Sequence, residues 1–304
     1  MADPTGKDQR MARPVAVITG AAGGIGLAVT RRLARTHRVA LLDIDADAVR
    51  QAARDLGGTA LALRCDITDP ESVEAAVRAV VEQFGAIDVA VSNAGIGPVG
   101  TVRHLDPSVL ATVLDVNVTG NWRFIRECLP HLIASRGYVL GVASAASIFA
   151  PPGEGMYAAS KAGLEALLDV FRVEVAHLGV GVGVAYPMFI DTPMVRDADH
   201  EHADFARTRA RLPGAAGKTF PVSLAADRIV RGIQRRQRRV FIPGSLRLQY
   251  LLRGFLSALL DRKLQPIAVE VDQLTEQKVA GRGAVAGGWS EAVLRSQKSQ
   301  PGGD

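Results

Sequence analysis

The chain has 304 residues, 48% of them hydrophobic, enough for a sizeable core in one large domain or two small ones. Nothing approaches a run of about 18 unbroken apolar residues, which excludes a membrane-spanning helix. Cys65 and Cys128 are the only cysteines and fit a reduced, cytoplasmic setting, while the net charge of +5 comes with no nucleic-acid recognition motif.

In chain order, Met1 to Arg13 is polar and lacks the apolar stretch of a secretory signal, so residues 1–12 read as a disordered arm. Val15-Ala16-Val17-Ile18-Thr19 reads as a buried parallel strand that runs into Gly20-Ala21-Ala22-Gly23-Gly24-Ile25-Gly26, with a helical pattern to about Thr36. Strand, glycine turn and helix form the first unit of a dinucleotide-binding fold: glycines let the backbone approach a pyrophosphate, and the helix N-terminus favours its charge. The spacing is Gly-x-x-x-Gly-x-Gly, and alone it could be a flexible turn. Arg38 to Leu42 is a second strand ending at Asp43, a carboxylate that suits a ribose 2′-hydroxyl and repels a 2′-phosphate. The alternative, that Asp43 caps the next helix, fits Asp45 better.

Further strands fall near 59–64, 87–91, 137–143, 180–186 and 239–242, with helices between them. This alternation predicts an α/β fold, a doubly wound parallel seven-stranded sheet with helices on both faces, spanning residues 13–243 as one domain. Ligands of such sheets bind outside the carboxyl ends of the strands, where Gly20, Asp43, Asn93, Ser144 and Pro187 all lie. Tyr157 and Lys161 are four residues apart on one helix face, thirteen residues after Ser144. The cation is expected to lower the phenol pKa from about 10 towards working pH, and Ser144 to hydrogen-bond an oxygen that changes charge.

Residues 188–221 lack a strand and read as a substrate lid. Its Met188, Phe189, Met194 and Phe205 lean towards a hydrophobic substrate, and His200-Glu201-His202 lacks the orienting shell of a metal site, so no metal is expected. Arg231, Arg235, Arg236, Arg238 and Arg239 read as a solvated helix face leading into the last strand. In the 244–304 extension, Leu248, Leu251, Leu252, Phe255, Leu256 and Leu259 recur at helical spacing between basic residues. That amphipathic helix, over 244–263, is expected to pack on the lid or a partner subunit in preference to a membrane surface, and the chain to fray beyond about Gly281.

Taken together, Thr19-Gly20 through Gly26, Asp43, Cys65-Asp66-Ile67, Asn93-Ala94-Gly95, Asn117, Ser144, Tyr157 with Lys161, and Pro187 through Thr192 resemble the short-chain dehydrogenase/reductase family, a Rossmann-fold oxidoreductase family using NAD(H) or NADP(H). The resemblance implies Tyr157 as acid/base, Ser144 as anchor of the substrate oxygen, Lys161 as pKa modifier and ribose ligand, and Asn117 as holder of a relay water. It implies a cofactor site of Gly20, Gly24, Ile25, Gly26, Asp43, Asp66, Ile67, Asn93, Ala94, Gly95, Tyr157, Lys161, Pro187, Ile190 and Thr192. Two departures stand out: Met188 where glycine is usual, which could narrow the pocket, and Ser92 where asparagine is common. The expected activity interconverts a secondary alcohol and a ketone with NAD preferred over NADP, in a homodimer or homotetramer; Arg64 is the one cation placed to upset that preference. The rivals are a non-catalytic dinucleotide sensor and a membrane-peripheral enzyme on lipid-borne substrates.

Overall fold

The structure, a computed structural model, describes residues 13–57, 60–201, 203–212 and 217–282; of residues 201, 203–205, 208, 256–261, 278, 279, 281 and 282 it describes the backbone alone. The arm expected over 1–12, the tail from 283, and the side chains of Phe205, Leu256 and Leu259 lie outside the described residues, as do His202 and the side chain of Glu201.

Seven strands, β1 Val15–Thr19, β2 Arg38–Asp43, β3 Ala60–Arg64, β4 Val89–Ser92, β5 Tyr138–Val142, β6 Gly181–Pro187 and β7 Arg239–Ile242, form one sheet in the order β3-β2-β1-β4-β5-β6-β7. Every neighbouring pair is parallel. The apolar runs are continuous because both faces are covered. In β1, Val15 and Val17 point into one core while Ala16 and Ile18 point into the other. The first core is closed by Val73 and Val77 of α3 (Pro70–Phe84), Phe124 and Leu132 of α5 (Asn121–Ser135), and Leu164 and Leu168 of α6 (Gly155–Glu174). The second is closed by Val29 and Leu33 of α1 (Gly24–Leu33), Val49 of α2 (Ala46–Asp55), and Ile229 and Ile233 of α9 (Val222–Gln234). The order reverses between β1 and β4, which opens the crevice at the carboxyl ends.

Helix α4 (Pro107–Leu114) passes into α5 through a π-helical stretch, Asp115–Gly120, that carries Asn117. The lid holds α7 (Pro193–Glu201) and α8 (Ala203–Ala210), anchored where Ile190 bridges Phe220. The extension is one helix, α10 (Leu246–Arg282), 37 residues long with Pro266 inside it, longer than the 244–263 stretch marked by its leucines. Its packing is divided. Ile267 and Val271, with Leu264, close on Leu212 and Phe189 of the lid region, and Arg211 pairs with Glu270. By contrast, Leu248, Leu251 and Phe255 are 64%, 67% and 75% exposed, so the expected apolar stripe does not supply the lid contact.

The arginine run also departs from a purely solvated face. Arg236 donates to the carbonyls of Arg136, Gly137 and Gly179, and Arg239 bonds Asp169 and the Tyr186 hydroxyl. These arginines tie strand ends and helix α6 together.

Candidate active site

The glycine turn between β1 and α1 works through close approach. Gly20 and Gly24 hold φ of +61° and +52°, and a Cβ at Gly26 would lie 2.1 Å from the Gly20 carbonyl oxygen. The turn is locked to β4: Asn93 Nδ2 donates to the carbonyls of Thr19 and Gly20, and the Asn93 and Ala94 N–H groups both donate to Thr19 Oγ1. The Asn93 side chain is thereby committed to the β1 backbone, whereas Ala94 and Gly95 line the cradle beside it.

That cradle is walled by Gly20, Asp43, Asp66, Ile67, Gly95 and Val116. Asp43 closes β2; its Oδ2 accepts from Ala22 N at 2.9 Å and its Oδ1 from Asp45 N at 3.1 Å, while burial raises its carboxyl pKa. Helix α2 is capped by Asp45, which accepts from Asp47 N and Ala48 N. Asp66 accepts from the Thr68 N–H and hydroxyl. Arg64 sits in register beside Asp43 at the exposed end of β3.

Around the corner, Ser144 and Tyr157 face one cleft with Ile25, Pro187, Met188, Ile190 and Thr192. Met188 lines this cleft from a backbone outside the left-handed region, so its side chain narrows the site without backbone strain. Asn117 is fully buried: its Oδ1 accepts from Ile96 N at 2.8 Å, and its Nδ2 donates to Ile96 O and to Ser160 Oγ. Ser160 donates onward to the Tyr157 carbonyl. Ser92 finds a different partner from a strand-end asparagine, donating to Asn121 Oδ1.

The electrostatics differ from the expectation that Lys161 lowers the Tyr157 pKa. Burial pushes the phenol up to about 12 and the ammonium down to about 8; the Ser144 hydroxyl, not Lys161, opposes the rise at Tyr157. The two values give the reason: an amine held at about 8 is already neutral where a phenol at about 12 loses its proton. Lys161 Nζ lies 5.7 Å from the centroid of the Tyr157 ring and donates to Val142 O. Both cysteines are buried, with thiol pKa values raised by desolvation. Among the described residues no group of three or more ligating side chains could hold a metal, and no helix is long and apolar enough to cross a membrane.

The sequence reading did not weigh Glu154, 7% exposed in the wall of the cleft with Phe149, Pro151, Leu212 and Gln249. An acid three residues before Tyr157 was the available signal. Leu212 and Gln249 come from segments distant in the chain and have none.

Comparison with known proteins supplies a framework for this geometry. The chain is similar to 2-(R)-hydroxypropyl-CoM dehydrogenase of Xanthobacter autotrophicus, 39% identical over 191 residues that cover 60% of the chain and 76% of that protein. It is also similar to cis-4-hydroxycyclohexanecarboxylate dehydrogenase of Sinomonas cyclohexanicum, 36% identical over 192 residues covering 62% and 77%. A short chain dehydrogenase/reductase from Burkholderia phymatum, solved in complex with NAD, superposes with a TM-score of 0.71 at 24% identity over 82% of the chain and 96% of that structure, a likeness of fold. The family model for short chain dehydrogenase matches residues 14–203. The chain therefore belongs to the short-chain dehydrogenase family and is an oxidoreductase acting on CH–OH groups.

Proposed function

We propose that the protein interconverts a hydrophobic secondary alcohol and its ketone, preferring NAD(H), with Tyr157 carrying the proton. The observation that carries this reading is the convergence of the Ser144 and Tyr157 side chains in a cleft whose wall is mostly apolar, with Pro98, Val99, Phe149, Met188, Met194 and Val195 in it. A dry wall strengthens a hydrogen bond made to the reacting oxygen.

The residues of the cradle fit the family's dinucleotide. Gly20, Gly24 and Gly26 let the turn pack tightly on Asn93, Ala94 and Thr192, and the N-terminus of α1 that the turn leads into suits a pyrophosphate. Asp43 suits the ribose hydroxyls, Asp66 and Ile67 the adenine, and Ala94, Gly95 and Lys161 the stretch leading to the nicotinamide, where Ile25, Pro187, Ile190 and Thr192 form the far wall. NAD supplies the hydride acceptor when bound. Ser144 would hold the substrate oxygen, Tyr157 would take up its proton in the oxidation as the phenol's own proton passes to solvent, with the reverse in the reduction, and Lys161 would hold charge beside the ring. Asn117 positions the Ile96 peptide at the back of the site.

Tyr157→Phe tests the reading on a panel of secondary alcohols followed by NADH formation. Turnover should fall by about 10²- to 10⁴-fold, the usual range for a positioned acid/base, with NADH affinity changed by less than about twofold. A substantial retained kcat would overturn the role of Tyr157.

A further inference from the structure

Glu154 immediately precedes α6, and its carboxyl faces the cleft that holds Ser144 and Tyr157. It is 7% exposed, and no hydrogen bond or ion pair to that carboxyl exists among the described residues. A carboxyl so little exposed, with no protein donor beside it, loses much of its hydration, and the apolar walls of the cleft offer nothing in its place. The nearest strong charge is Arg209 of α8, itself 8% exposed and stacked 4.8 Å from the Phe189 ring centroid. Arg209 spends two of its nitrogens elsewhere, Nη1 donating to Thr219 Oγ1 at 2.6 Å and Nη2 to Asp199 Oδ2 at 2.5 Å, while its Nε is buried without a hydrogen-bond partner. Its positive charge still acts on Glu154, but it gives the Glu154 carboxyl no hydrogen bond.

We propose that Glu154 is a specificity residue that accepts a hydrogen bond from a second hydroxyl of the substrate, so that the preferred substrate is a diol or hydroxyketone on an apolar frame. This rests on the alcohol–ketone reading for the reacting hydroxyl. The neighbouring charges select the class. An ammonium at this point would meet the Arg209 guanidinium, and a carboxylate would meet Glu154 itself, which leaves a neutral donor. Burial pushes the Glu154 pKa up to about 7, with Arg209 pulling the other way, and an oxygen that can accept remains in either protonation state. A site that hydrogen-bonds a substrate hydroxyl rejects the analogue lacking it far more strongly than an apolar pocket rejects a missing methylene.

Three probes separate the possibilities: cyclohexanol, cis-1,4-cyclohexanediol and cis-4-hydroxycyclohexanecarboxylate. Each is measured by kcat/KM with NAD and by thermal-shift affinity for the enzyme with NADH. The wild type should prefer the diol to cyclohexanol by about tenfold or more and accept the hydroxy acid least. Glu154→Leu should bring the diol-to-cyclohexanol ratio near one. Glu154→Gln, which keeps an acceptor and removes the charge, should retain most of the diol preference while relieving the discrimination against the acid. Turnover of all three probes with ratios indifferent to residue 154 overturns the subsite and leaves the dehydrogenase reading standing. Glu154-dependent diol binding without turnover does the reverse, and absence of both overturns both.

Discussion

In the cradle that suits the dinucleotide, the wall is largely backbone and short side chains: the glycine turn is held by Asn93 and Thr19 across two adjacent strands, and Asp43 is anchored by the Ala22 amide of that turn and by the Asp45 amide that follows it. The substrate cleft is assembled differently. Its wall is side chain, drawn from the loop after β4, the turn after β5, the lid and α10, segments more than a hundred residues apart. Strand ends in a packed sheet cannot move independently, whereas a wall of side chains on lid and extension can be exchanged one residue at a time. Cofactor geometry is thus tied to the fold, and selectivity is carried by parts that the fold tolerates changing.

The comparison breaks most severely at Gly26. A methyl there would sit 2.1 Å from the Gly20 oxygen and 2.7 Å from Asn93 Nδ2, neither of which can retreat without opening the β1–β4 junction. Gly26→Ala should cost about 1–3 kcal/mol, the usual range for overpacking, and lower NAD(H) affinity at least about tenfold, read by calorimetry and NADH titration. If affinity stayed at the wild-type level, the cradle would be less rigid than its hydrogen bonds indicate.

Glu154 probes the other half through pH. Its folded pKa, about 7, lies above the ordinary 4.5, so burial favours the protonated form. That stability is fully present below 4.5, fades as pH rises towards 7 and is lost above it. Glu154→Gln cannot ionise and should melt a few degrees above wild type at pH 8, the gap closing near pH 4.5; a gap that did not change with pH would mean the carboxyl is solvated. Smaller still is the effect expected at Asp43. Asp43→Ala removes the carboxylate that we propose repels a 2′-phosphate and should shift the NAD-to-NADP ratio of kcat/KM by about tenfold, equivalent to about 1.4 kcal/mol. An unshifted ratio would hand the selectivity to another group, Arg64 first.

The smallest change belongs to the latch between α10 and the loop before α4, where Asp272 accepts from Thr101 Oγ1 and pairs with Arg103, itself 65% exposed. Exposed pairs contribute little to stability. Asp272→Ala should therefore leave Tm within a few degrees while raising KM for the substrate more than KM for NAD. Equal effects on both would erase the distinction between the two halves.

Much of the cradle was readable in advance because its causes are local. A strand buried on both faces must be apolar along its length, as Val15 to Ile18 is, and a turn that meets a neighbouring backbone must be glycine, as at Gly20 and Gly26. Asp43 and Asp45 could be told apart by their places at a strand end and a helix start. The cleft was less readable because its determinants are contacts across the fold. Neither the burial of Glu154 beside the Arg209 charge nor the position of Lys161 against the tyrosine ring has any periodic signature. The same holds for α10: hydrophobic spacing marked its first half, yet it is the stretch from Leu264 to Val271 that meets Leu212 and Phe189, and Leu248, Leu251 and Leu252 stand exposed.

Asn117 carries a consequence for proton traffic. Its amide reproduces what a neighbouring strand would offer the Ile96 peptide, accepting from the N–H and donating to the carbonyl, and its second amide proton is held by Ser160. Both protons are therefore spent on architecture, and an amide cannot exchange them at neutral pH without leaving a buried carbonyl or hydroxyl unmatched. What remains open on the side chain is the second lone pair of Oδ1, so in the proposed chemistry Asn117 could accept a hydrogen bond but has no proton to pass on, and replacing the amide by a carboxyl would disturb the Ile96 peptide before it altered that chemistry.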